Sequence, residues 1–180
     1  VFDHIPGEQT LDRWLKTPEV RDGLGMDDRL ALVRDVAEAI AYAHTRGVFH
    51  RALCPSAIWV GEHDGKRTVR VANWHAGARV STGDVTATMT GTVHVEALSG
   101  GDADLYRAPE HAQPLADPAA LDVFSLGCLT AFVFTDEPPA PTSGKLRELL
   151  ASTGHVSIDA TGDQIDTLVA AFVAELTDVD

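Results

Sequence analysis

The 180-residue chain predicts an α+β fold that is mainly helical and carries one small β-hairpin. Three observations point there. A stripe of apolar residues at helical spacing runs from Leu30 to His44. Two short β-branched runs flank an Asp64-Gly65 turn. A strongly apolar segment opens behind Asp117-Pro118, a helix-start signature. Hydrophobic residues at 44% and charged residues at 23% are globular proportions, and the length suffices for one domain with a real core.

Taken in order, Val1 to Ile5 reads as a strand end stopped by Pro6-Gly7. Thr10 can cap a short helix through Leu11, Trp14 and Leu15. Asp27 or Asp28 starts the next helix, whose stripe is Leu30, Val33, Val36, Ala37, Ile40, Ala41 and His44, and Gly47 ends it. Val48 to Ala57 is irregular. Ile58 to Val60 and Val69 to Ala72 form the hairpin. Residues 73–110 show no period, as in a functional or disordered segment. The central buried helix runs from Ala119 to Phe134 and is broken by Pro138, Pro139 and Pro141. Ser143 can cap a helix through Leu150, and Asp163 one through Leu176.

Charge and cysteines exclude several classes. Fourteen Lys and Arg against 27 Asp and Glu give −13, which disfavours a nucleic-acid partner and an anionic membrane surface. Cys54 and Cys128 form no CxxC pair, so no zinc ribbon or disulfide framework is expected, and a reducing cytoplasm is. No secretory leader is expected at Val1 onward, because Asp3, His4, Pro6 and Gly7 interrupt any apolar start. The longest apolar stretch, Phe124 to Phe134, is short of the ~20 residues a membrane span needs and holds Ser125, Gly127 and Thr130. The first residue is not Met, so a piece of a longer protein is expected.

Four ordered segments carry a family resemblance. Gly47 to Ile58, GVFHRALCPSAI, resembles the catalytic loop of eukaryotic-type Ser/Thr protein kinases, whose pattern is HRDLKPEN. The preceding AEAIAYAHTRGVFHR is similar to bacterial members. YRAPE at 106–110 resembles the APE segment, and DVFSLG at 122–127 the helix beneath it. Val1 to Gly7 resembles the strand leading into the hinge. The resemblance implies residues 1–180 as hinge plus large C-terminal lobe, with the catalytic-loop equivalent at 48–60 and the activation-segment equivalent at 73–110. The small lobe, with its Gly-rich loop, ATP-anchoring Lys and Glu partner, is expected before residue 1.

The same resemblance implies that the chemistry is degenerate. The family's base, an Asp, is Ala52, and a methyl neither accepts a proton nor orients a hydroxyl. The Lys two residues on is Cys54, and the Mg²⁺-binding Asn is Ala57. The metal-binding Asp of DFG is Asn73, a neutral oxygen donor for a hard cation. Trp59 replaces the Leu under the adenine ring. It either fills the adenine pocket or points into the core as an ordinary strand residue. Phe2 falls at the gatekeeper, and Asp3 and Ile5 offer hinge backbone groups to a nucleotide. His50 is implied to brace the DFG-equivalent backbone, and Arg51 to meet a loop phosphate or a structural ion-pair partner. Thr82, Thr86, Thr88, Thr90 and Thr92 are candidate acceptors. Glu110 pairs, in the family, with an Arg further along than Asp180. Asp122 belongs to the structural set.

His50, His75 and His94 with Cys54 fit no zinc spacing, so no metal site is expected. Residues 93–105 separate Thr92 from Tyr106, an expansion over ordinary members that suits partner binding better than substrate turnover. The resulting expectation is a catalytically impaired domain, a pseudokinase acting as scaffold or allosteric module. It takes protein partners or other domains of a larger chain and no cofactor, with ATP and Mg²⁺ entering only if the pocket is open. The alternative is a divergent Ser/Thr kinase, or a phosphoryl or nucleotidyl transferase using ATP, with Asn73 plus Asp102 or Asp104 holding metal. HRALCPSAIWV, VRVANWHAG and HVEAL also resemble the kinase-like part of phage-growth-limitation systems.

Overall fold

The computed structural model describes residues 7–74, 78–79, 102–159 and 167–179. The expected strand at Val1 to Ile5, with Phe2, Asp3 and Ile5, lies outside these residues, as do His75, His94, the Thr82 to Thr92 series and the helix start at Asp163.

Short elements open the described chain. A two-residue strand β1 (Gln9–Thr10) leads into helix α1 (Leu11–Leu15), and α2 (Pro18–Gly23) follows. Thr10 is the N-cap of α1 by position, but its side chain makes no capping bond. Helix α3 (Met26–His44) starts one residue before the expected Asp27, where the Asp28 carboxylate accepts the Gly25 N–H. Gly47, at φ +66, lets the chain turn away after it.

The buried face of α3 differs from the expected stripe. Arg29, Leu32, Val33, Val36 and Ile40 are buried, whereas Leu30 is 45% exposed and Ala41 is exposed. The cause is Arg29. Its Nη1 donates to the Val133 carbonyl and sits 3.2 Å from Asp136 Oδ1. Both acceptors lie at the C-terminal end of helix α4 (Pro118–Thr135), where unpaired carbonyls gather negative partial charge. A cation is useful there, so α3 rotates Arg29 inward and leaves Leu30 to water.

Asp117 caps α4 by accepting the Ala119 N–H at 3.0 Å, with Pro118 in its first turn. The helix is buried almost all round, from Leu121 to Phe134. Its polar members hide their hydroxyls against its own backbone, Ser125 to Leu121 O at 2.9 Å and Thr130 to Leu126 O at 2.8 Å. That extends the apolar stretch read from the sequence to 18 residues, long and apolar enough to cross a membrane, yet 72% of it is buried inside the protein. It is the core helix, packed on α3 and on helix α6 (Thr167–Leu176). Helix α5 (Ser143–Thr153) is capped by Thr142, whose hydroxyl accepts the Lys145 N–H, and not by Ser143.

The irregular stretch expected at 48–57 contains strand β2 (Val48–Phe49), which pairs antiparallel with β5 (Ala78–Arg79), and a 3-10 turn at Pro55–Ala57. The hairpin is longer than expected: β3 (Ile58–His63) and β4 (Lys66–Val71) pair from Ile58↔Val71 to His63↔Lys66. Asp64 and Gly65 both have positive φ, +51° and +71°, which makes the two-residue connection a type I′ turn. Strand β1 adds to the other edge of β3 through Thr10↔Trp59. Gly65→Ala is expected to cost about 1 kcal/mol, read as a lowered urea midpoint, because an L side chain is strained at that φ.

Candidate functional site

The site is built on Asp122, fully buried in the second turn of α4. One carboxylate oxygen accepts the His50 N–H at 2.7 Å and lies 2.8 Å from His44 Nε2. The other accepts the Arg51 N–H at 2.6 Å. Charge-assisted bonds of this kind are the strong ones. They hold Arg51 at φ +62, a conformation that a long side chain rarely adopts and that persists only where the surroundings enforce it.

His50 carries the order one step further. It is fully buried. Its Nδ1 accepts the Ala52 N–H at 3.3 Å, and its Nε2 is 2.7 Å from the Ala72 carbonyl. An acceptor at Nδ1 and a carbonyl facing Nε2 define the neutral tautomer protonated at Nε2. The Trp74 ring meets the His50 ring edge-on at 4.8 Å, and the Trp74 indole N–H donates to Val71 O at 2.8 Å. Asn73, between these anchors, has φ +64, where Asn is among the better tolerated residues. The Ala72 N–H donates to Ala57 O at 2.8 Å. Ala52, Ala57 and Asn73 are therefore gathered around His50. Cys54 lies buried at the head of the 3-10 turn, its Sγ 3.2 Å from Ser56 Oγ.

What gathers there is chemically quiet. Two methyl groups and a neutral amide cannot take a proton from a hydroxyl. Among the described residues no three of His, Cys, Asp and Glu come together as metal ligands. The Asp104 carboxylate is held by Arg107 Nη1 at 2.9 Å, and the side chain of Asp102 lies outside the description.

Trp59 takes the outer face of β3. Ile58 and Val60 point into the core, 0% and 1% exposed, and Trp59 between them is half-buried. Alternation along a strand then puts the indole on the opposite side, the side of the sheet away from the core. That removes the reading of Trp59 as a core residue. The same face carries an ion pair absent from the sequence reading: Arg70 Nη2 bonds Glu8 Oε2, and the Glu8 side chain is wholly buried. Glu8 lies over Gly61, where a Cβ would stand 2.6 Å from Glu8 Cγ. A glycine inside a strand signals such a close approach, and Gly61 was the available clue.

The remaining positions are more peripheral. Arg51 is half-buried and makes no ion pair among the described residues, nor does Glu110, half-buried in the 3-10 turn Pro109–Ala112. Tyr106 and Arg107, before the APE segment, are buried, with Tyr106 edge-on to Phe132.

The buried Asp122 thus pins the loop, and His50 bridges that loop to the segment after the hairpin. The chain belongs to the protein kinase family: the family model of the protein kinase domain matches residues 1–170. The chain is similar to a probable kinase, PglW, of Streptomyces coelicolor, 30% identical over 197 residues that cover 97% of this chain and 12% of that protein. It is also similar to the Ser/Thr-protein kinase PknB of Mycobacterium leprae, 27% identical over 110 residues, 61% of this chain and 16% of that one. A third relative is the Ser/Thr-protein kinase/endoribonuclease IRE1 of Oryza sativa subsp. japonica, 28% identical over 115 residues, 64% of this chain and 12% of that one. The chain thus spans between an eighth and a sixth of these relatives.

Proposed function

We propose that this domain is a catalytically impaired kinase lobe, residues 1–180, that works as a scaffold or allosteric module. The observation that carries the reading is the contrast within one site. Asp122 and His50 hold the loop in a strained, ordered shape, while positions 52, 54, 57 and 73 carry Ala, Cys, Ala and Asn. A general base alone supplies about 10²–10⁴-fold in rate, and here the base is missing together with the cation and both strong metal ligands.

The family uses ATP with Mg²⁺, and the residues present do not fit that pair. Asn73 offers one neutral oxygen, Ala57 offers none, and Trp59, with its indole on the outer face of β3, stands at the position where the resemblance puts the Leu under adenine. Protein partners, or other domains of a longer chain including a small lobe, are the ligands this reading assigns. Its setting is a bacterial cytoplasm, supported by two buried, unpaired cysteines. The resemblance to phage-growth-limitation systems supports a defence context.

An active, divergent kinase is the second reading, favoured by the relative named a probable kinase. It needs Asn73 with Asp102 or Asp104 to hold metal, and Arg107 already holds Asp104.

The test is ATP and ADP binding to the longest natural polypeptide containing this chain, by thermal shift and calorimetry, with and without Mg²⁺. A ligand at a hundredfold excess over its Kd adds about 2.7 kcal/mol of stability. No shift is expected for the native sequence, and a Mg²⁺-independent shift is expected for Trp59→Leu. A Mg²⁺-dependent shift of the native protein overturns the proposal.

A further inference from the structure

Glu8 and Arg70 join the two edges of the three-stranded sheet. The pairs Gln9↔Val60 and Thr10↔Trp59 set the register, and one residue earlier Glu8 comes alongside Gly61. Gly61 has no side chain, and Glu8 lies over it, so the carboxylate crosses β3 and bonds Arg70 on β4. Arg70 is the cross-strand partner of Trp59, and Trp59 and Gly61 share a face by strand alternation. The pair therefore spans all three strands beside the Trp59 indole.

Three features make this contact costly. The Glu8 side chain has no exposure to water, and a buried carboxylate is expensive unless it is fully bonded. Its Oε1 has no hydrogen-bond partner among the described residues, nor has the buried hydroxyl of Thr68, in register with Gly61. A glycine inside a strand weakens that strand. An apolar pair would clasp the strands without these costs. Asp122 is the contrast, with both oxygens bonded to backbone N–H groups. The Glu8 carboxylate is bonded through Oε2, and the side chain that holds it is 39% exposed, so the guanidinium can turn to water. Such a contact closes the face and still opens readily.

We propose that Glu8 and Arg70 form an autoinhibitory strap over the outer face of the sheet. Closed, it holds β1 down and keeps Trp59 in place from the neighbouring strand. Open, it lets the indole swing aside and yields the face to a planar ligand of the adenine-nucleotide class. The inference rests on the reading of Trp59 as a block at the position under adenine, and it names the regulation of that site.

Two unlike openings of the strap test it in the longest natural polypeptide containing this chain. Glu8→Ala removes the carboxylate and leaves Arg70 to water. Gly61→Ala keeps both charged groups but sets a Cβ 2.6 Å from Glu8 Cγ, so the side chain has to leave. Gly61 is not among the residues with positive φ, so its backbone accepts alanine. Hydrogen exchange at residues 8–10 is expected to quicken about tenfold or more in each variant, with an unchanged far-UV spectrum. ADP without Mg²⁺ is expected to bind each variant about tenfold or more tightly than the native chain, read by calorimetry. On the Glu8→Ala background, Gly61→Ala is expected to add nothing, because no Cγ remains to displace. Unchanged exchange in either variant, ADP binding no tighter than to the native chain, or a full further effect in the double variant overturns the strap. Transfer of phosphate from ATP by the native chain overturns the impaired-kinase reading instead, and the exchange result still decides the strap.

Discussion

Asp122→Ala is expected to destabilise the domain by about 4 kcal/mol, seen as a large drop in the urea midpoint or as failure to accumulate folded protein. The magnitude follows from what the carboxylate holds. Two backbone N–H groups, of His50 and Arg51, and the His44 ring all point at a side chain with no exposure to water. Removing an ionised acceptor leaves those donors without a partner, and each such bond is worth about 1.5–3 kcal/mol. The three do not add in full, because the loop relaxes once the first is lost. Against a total stability of about 5–15 kcal/mol the loss is severe. Asp122→Asn separates charge from shape. It keeps one acceptor oxygen but turns an N–H₂ toward a donor, so about half the effect is expected. An Asp122→Ala protein as stable as the parent would mean that the loop is held by something else, and the ordered-scaffold argument would fall with it.

The parts of this arrangement that could be read from the sequence are those fixed locally. Asp64-Gly65 supplies the two positive φ angles of a type I′ turn by residue chemistry alone, so the hairpin was legible, though its strands run further than their most apolar residues. Asp117-Pro118 marks a helix start for the same reason. The face of α3 was not legible, because Arg29 looks like a solvent residue until the end of α4, more than a hundred positions away, is placed beside it. The Glu8–Arg70 pair was equally hidden. It depends on the register of three strands, which no local pattern encodes. Trp74 went unnoticed as a site residue because its value lies in a ring contact with His50 across the hairpin. Positions 52, 54, 57 and 73 stand out in the sequence because the flanking His50, Arg51, Leu53 and Pro55 resemble the family's loop.

Gly127→Ala is expected to cost about 2 kcal/mol, and Thr177→Ser to return part of it. Gly127 lies where α4 meets the end of α6. A Cβ there would sit 2.5 Å from Thr177 Cγ2 and 2.9 Å from Leu176 Cβ. Alanine favours a helix over glycine by about 1 kcal/mol, so the clash must exceed that gain before any loss appears. It does, because Thr177 cannot swing aside. Its hydroxyl donates to Val173 O and accepts the Val156 N–H, both at 2.8 Å, and the residue is fully buried. Those two bonds fix the rotamer and aim the methyl group at α4. Serine keeps the hydroxyl and removes the methyl. Alone, Thr177→Ser loses a buried methyl group, about 1 kcal/mol. Combined with Gly127→Ala it clears the worse of the two contacts, so the double variant is expected to be more stable than the sum of the singles by about 1 kcal/mol. Urea denaturation of the four proteins measures that coupling. Strict additivity would show that α6 shifts as a body to admit the new side chain, and that the core helix of this lobe is less tightly clasped than its burial implies.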